Sequence, residues 1–241
     1  MTNPQPPQRS YRYYELVMAG FITVYLCSNL IGPAKAAAVQ LPFSLPWIGE
    51  TFVFGAGVLF FPLSYVFGDI LTEVYGYARA RRVIWAGFGA MLFAALMSAV
   101  VVALPPAADW PNQAAYETVF GSTARIIGAS IIAYFCGEFV NSFVLAKMKI
   151  AASGAKMGWR FVVSTVFGEG VDSLLFYPLA FGGIWSTELI LKVMAAQWAL
   201  KVIVEIIMLP ITIRIVRALK RAEGEDYFDR DTRFTPFSLK T

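Results

Sequence analysis

The chain has 241 residues, 58% of them hydrophobic and 15% charged, whereas an ordinary soluble domain carries about 25% charged residues. A mean hydropathy of +0.60 excludes a disordered chain, and 20 Phe, 11 Tyr and 6 Trp are more than one water-soluble core of this size can hide. The absence of histidine removes His-ligated metal sites and Ser-His or Cys-His nucleophile pairs. Cys27 and Cys136 sit inside apolar runs with no metal or disulfide spacing. The composition predicts an integral membrane protein with no metal site and no cofactor.

A helix needs about 20 mostly apolar residues to cross a bilayer. Six runs qualify in chain order: 14–33, 52–75, 83–104, 125–146, 161–185 and 188–213. Ala34-Lys35-Ala36 looks like a cleavage site, but the first run is longer than the about 7–15 apolar residues of a signal peptide, so it reads as a retained span. The stretch Ala34–Glu50 is apolar but broken by Pro42 and Pro46, and is expected to lie in the interface or re-enter. The longest link, Pro105–Ala124, bears proline and asparagine. No charged linker divides the chain, so 1–241 reads as a single membrane domain, with polar, flexible tails at 1–13 and 222–241.

Charge placement supports the count. Sixteen of the twenty basic residues fall on one side of a six-span arrangement, against Lys35 alone in the opposite loops. Arg125, Lys192 and Lys201 lie within spans. The positive-inside rule then places both termini in the cytoplasm. The expected fold is an all-α membrane protein, six transmembrane helices in one bundle. Reporter fusions at residue 78 and at the C terminus are expected to read cytoplasmic, and a periplasmic signal from either overturns this topology. The basic residues beyond the last span suit anionic lipid better than nucleic acid.

Charges inside spans cost about 2.5–3.5 kcal/mol each on insertion scales, and here they follow a pattern. Span two carries Gly68-Asp69-Ile70-Leu71-Thr72-Glu73, span four Gly137-Glu138-Phe139-Val140-Asn141-Ser142, and span five Gly168-Glu169-Gly170-Val171-Asp172-Ser173. Residues i and i+3 share a helix face, so each segment aims a carboxylate and a second polar group the same way. The preceding glycine lets a neighbouring helix approach closely. Span six adds Gln197, Lys201 and Glu205 at intervals of four. At 1.5 Å per residue, Glu138 and Glu169 each lie about 12 Å from the inner surface, with Asp69 shallower, Asp172 deeper and Glu73 near the boundary.

Polar residues also serve as glue between membrane helices, and Lys201 with Glu205 reads equally as a neutralising pair. Six carboxylates against two lysines nevertheless require protonation, solvation, a ligand, or a snorkelling base such as Arg160. Tyr65 and Tyr134, one turn before Asp69 and Glu138, could stack a flat ligand. Carboxylates, an amide and aromatic walls suit a planar ligand with adjacent N–H donors, and equally a small cation.

The run Phe61-Pro62-Leu63-Ser64-Tyr65, then Gly68-Asp69-Ile70-Leu71-Thr72-Glu73-Val74-Tyr75-Gly76 and Ala80-Arg81-Arg82-Val83-Ile84-Trp85, resembles the signature of the bacterial queuosine precursor transporter family. Asn29 and Lys35, Phe135 to Asn141 with Lys147, and Arg160 with Gly168-Glu169 through Asp172-Ser173 resemble it as well. The likeness covers roughly residues 14–215 and leaves the C-terminal tail unmatched. It implies a six-helix inner-membrane importer of 7-cyano-7-deazaguanine and 7-aminomethyl-7-deazaguanine, in a family itself similar to the substrate-binding subunits of energy-coupling-factor vitamin transporters. In such a carrier Asp69, Glu138, Glu169 and Asp172 are carboxylates at or near the site, and Asn141 and Gln197 are polar readers. Asn29, Lys35, Tyr65, Glu73, Tyr134, Arg160, Lys201 and Glu205 are supporting candidates. The expected partners are this small molecule and the bilayer, with a homo-oligomer or an ATPase module left open.

Other readings have weaker motifs. An intramembrane aspartyl protease would use Asp69 and Asp172, but Val66 stands where Gly-x-Gly-Asp needs its first glycine. No Gly-x-x-x-x-Gly-Lys-Ser/Thr loop occurs, so ATP could act only through a partner. A cation or proton antiporter remains compatible with the acidic layer.

Overall fold

The computed structural model describes residues 10–31, 35–45, 49–56, 60–121 and 124–238. Helix α1 (Tyr14–Leu30) is followed by strands β1 (Ala36–Leu45) and β2 (Gly49–Gly55). Then come α2 (Phe61–Ile70), a π turn over Leu71–Tyr75, and α3 (Tyr77–Ala103). The chain continues through α4 (Gln113–Phe120), α5 (Ala124–Ala151), α6 (Met157–Phe181) and α7 (Thr187–Glu223).

The fold is predominantly helical, as expected, with one addition. The proline-broken stretch after the first helix is an antiparallel hairpin, with Ala36 opposite Gly55 and Gln40 opposite Thr51. The register shifts between Gln40 and Leu45, where Pro42 lacks the N–H needed for a regular ladder. Residues 52–55, expected to begin the second span, are therefore strand. The second helix starts at Phe61, and its ten α-helical residues run into five in the π turn. Residues 34 and 46–48 of the stretch lie outside the described residues.

Among the described residues, two helices are long and apolar enough to cross a bilayer, α3 (Tyr77–Ala103) and the one that includes α5. Helix α3 turns Leu92, Phe93, Leu96 and Val100 outward and buries Val83, Gly87, Met91 and Ala95. The same inversion marks α7, where Ile203, Ile206, Ile207 and Ile211 are exposed while Glu205 and Thr212 are buried. An apolar exterior over a polar interior suits hydrocarbon as solvent.

Helix α7 runs 37 residues, about 55 Å at 1.5 Å each, and passes the expected boundary at Ile213 by three turns. Ser186 begins it by accepting the Leu189 N–H at 3.3 Å, and Gly224 ends it at φ +60°, a left-handed cap that favours glycine. The segment after it, expected as a free tail, lies across the ends of α3 and α5. Asp229 accepts the Tyr77 N–H through both oxygens, at 3.0 and 3.1 Å, supplying the cap that Gly76 cannot. Arg81 donates to the carbonyls of Arg233 and Thr235, at 2.9 and 2.6 Å. Trp85 Nε1 donates to that of Pro236 at 2.8 Å.

Candidate functional site

Helices α2, α5 and α6 each reach the interior with a glycine ahead of an acid, and the three glycines are where the helices meet. A Cβ on Gly68 would lie 2.9 Å from Glu138 Oε2, and one on Gly137 2.9 Å from the Gly168 carbonyl. One on Gly168 would lie 2.7 Å from the Asn141 Cβ. This close approach brings the acid-bearing faces of the three helices together.

Within that layer Asp69 is fully buried, and its Oδ1 accepts from Asn141 Nδ2 at 3.4 Å. Just beyond, Thr72 of the π turn donates to Ser142 Oγ at 3.0 Å, a second tie to α5. Lys201 comes in from α7 and lies 2.7 Å from Glu169 Oε2 and 2.7 Å from Asp172 Oδ2. The i, i+4 pairing of Lys201 with Glu205 is thus replaced by a bridge to α6. Glu205 is fully buried, and neither of its carboxyl oxygens has a hydrogen-bond partner among the described residues. Asp69 Oδ2, Glu138 Oε2 and Asn141 Oδ1 are likewise buried and unpartnered.

Aromatic rings flank the layer. Tyr134 stacks on Tyr25 of α1, centroids 4.0 Å apart and 18° from parallel, and its hydroxyl is 2.9 Å from Ser64 Oγ. Tyr65 is buried beside Glu169. One face of the Tyr134 ring is taken by Tyr25.

Glu73 and Arg160 stand apart, at the end of the bundle where the basic residues gather. The Arg160 guanidinium grips both Glu73 oxygens, with Nη2 3.0 Å from Oε1. Lys220 Nζ lies 2.6 Å from Glu73 Oε1 and 2.7 Å from Asp226 Oδ1. Lys149 Nζ lies 2.6 Å from Asp226 Oδ1 and donates to the carbonyls of Glu73 and Tyr227, both at 2.7 Å. Burial pushes the Asp226 carboxyl up, but the hydrogen bonds from Lys149 and Lys220 outweigh it and hold it below the ordinary carboxylate range. Arg160 therefore neutralises an acid of the span boundary and leaves the deeper layer without its charge.

Three further candidates lie outside the layer. Asn29 bridges to α5 by accepting from Ser130 Oγ at 3.0 Å, while its amide donates to the Tyr25 carbonyl at 2.9 Å. Lys35 is exposed at the start of the hairpin. Gln197 is half-buried and makes no side-chain hydrogen bond among the described residues. Lys149, Lys220, Asp226 and Asp229 were missed as organisers. In the sequence the lysines read only as part of the basic bias, and pairing across helices leaves no spacing to read.

A family described as "Putative vitamin uptake transporter" matches residues 55–215, most of the chain and every residue of the acid layer. The chain belongs to this family. Among curated relatives of this vitamin uptake transporter family member, the "Probable queuosine precursor transporter" of Bacillus subtilis (strain 168) is 28% identical over 198 residues, 80% of each chain. The "Queuosine precursor transporter" of Escherichia coli (strain K12) is 30% identical over 144 residues, 59% of this chain and 60% of its own. These relatives are named as transporters and not as enzymes. No solved structure matches the chain.

Proposed function

We propose that this family member is a transporter importing queuosine precursors, 7-cyano-7-deazaguanine and 7-aminomethyl-7-deazaguanine, across a bacterial inner membrane, with six spans and cytoplasmic termini. The names of the two relatives support the substrate class. The observation that carries the reading is the set of unpartnered acceptors on Asp69, Glu138, Asn141 and Glu205, gathered from three helices in a mostly apolar molecule. Buried carboxyl groups without partners are costly, and a ligand with adjacent ring and exocyclic N–H donors satisfies two oxygens of one carboxylate side by side. Glu169 and Asp172 are joined by Lys201, whose ammonium can also donate to a ring carbonyl.

The test is binding by the purified protein of guanine, the two deazaguanines and simple cations, followed by flux in liposomes holding only this chain. Deazaguanine binding with flux is the expected result, and Glu138→Gln is expected to weaken it by roughly 10- to 150-fold, the worth of one charge-assisted hydrogen bond. Binding of simple cations alone overturns the reading in favour of an antiporter. Tight binding without flux replaces the lone carrier with a substrate-binding subunit that works through an ATPase partner.

A further inference from the structure

The unpartnered atoms of the layer are of one kind. Asp69 Oδ2, Glu138 Oε2, Asn141 Oδ1 and both oxygens of Glu205 accept hydrogen bonds and cannot donate when ionised. The nearby hydroxyls of Thr165 and Ser173, also unpartnered, can do either. The nearby cations are engaged with other acids: Lys201 pairs with Glu169 and Asp172 on the α6 side of the layer, and Arg160, Lys149 and Lys220 with Glu73 and Asp226. Asp69, Glu138 and Glu205 therefore have no cationic partner among the described residues. Glu205 is also within electrostatic reach of Asp69 and Glu169, so a group between them that is positive or rich in donors is favoured by several carboxyl groups at once.

From this we infer that Glu205, with Asp69 and the Asn141 carbonyl, forms a recess for a protonated amine carried by the ligand. The inference rests on the transporter reading and adds a preference to it. The two precursors differ in one substituent: an aminomethyl group, which at neutral pH is an ammonium with three donors, or a nitrile, which only accepts. Against orphan carboxyl oxygens the ammonium gains charge-assisted hydrogen bonds. The nitrile sets one acceptor against another and leaves the carboxyl groups unsatisfied, the kind of mismatch that separates ligands by large factors. Glu205 is thus a specificity-determining residue that reads the charge of the side arm.

Equilibrium binding of both forms to the full-length protein, wild type and Glu205→Gln, tests this. The wild type is expected to bind the aminomethyl form at least about tenfold more tightly. Glu205→Gln is expected to weaken the aminomethyl form by roughly 10- to 150-fold while moving the cyano form little, so that the ratio collapses. Equal or tighter binding of the cyano form by the wild type overturns the inference without any variant needing to fold. So does an equal loss of both forms in Glu205→Gln, which marks a structural carboxyl. Competition by sodium that disappears in the variant while the ratio survives assigns the recess to an inorganic ion instead. If the wild type binds neither form, the transporter reading itself falls and the preference with it.

Discussion

Glu73→Ala is expected to destabilise the protein by about 3–5 kcal/mol, the cost of leaving buried charges without their partner. Glu73 is fully buried and faces three cations, two of which, Arg160 and Lys149, are almost completely shielded from solvent. Its removal leaves them to Asp226, which is half exposed and cannot hold all three. Lys220→Met should cost less, because Lys220 is partly exposed and its loss leaves Glu73 gripped by Arg160. Unfolding of the detergent-solubilised variants measures both losses. A double-mutant cycle with Arg160→Met should show strong coupling, since each single change strands the other's charge. A loss below about 1 kcal/mol for Glu73→Ala would mean that the cluster behaves as a solvated surface network.

Gly168→Leu is expected to abolish uptake while leaving protein in the membrane. The first added carbon would already lie 2.7 Å from the Asn141 Cβ and 2.9 Å from the Gly137 carbonyl, and neither can rotate away. Overpacking of this kind costs about 1–3 kcal/mol, less than the loss of Glu73. Relief comes only by parting α5 from α6, and Asn141 moves with α5. Its 3.4 Å bond to Asp69 has little length to spare, so the acid layer comes apart. Gly128→Ala is the control, for nothing lies within 4 Å of a Cβ there. Normal uptake by Gly168→Leu would show that the layer tolerates helix separation and is not the substrate site.

The acid layer was legible because it is written locally. Gly68-Asp69, Gly137-Glu138 and Gly168-Glu169 repeat one spacing, and a helix turns spacing into a shared face whatever its neighbours do. The hairpin was less legible, since proline reports that a helix is broken without reporting what replaces it. The partners of Lys201 are illegible for a related reason: the i, i+4 rule offers Glu205 on the same helix, whereas Glu169 and Asp172 stand on another. The stretch 233–236 was hardest, because its hold on the bundle is made through main-chain carbonyls of Arg233, Phe234, Thr235 and Pro236. Every residue type supplies that group, so side-chain chemistry leaves little trace of it.

The segment beyond α7 bears on the order in which the molecule can be completed. The acid at position 73 is made early, yet its cations arrive at 149, 160 and 220, and the cap on Tyr77 arrives only at 229. Helices α2 and α3 are thus made with their shared junction electrically unbalanced and with the first N–H of α3 unmet. Helices α5, α6 and α7 each remove part of that deficit, and the segment beyond α7 removes the last of it. Assembly is therefore closed from the C-terminal side. A nascent chain arrested before residue 226 should carry every helix in place and still hold an open seam between its second and third.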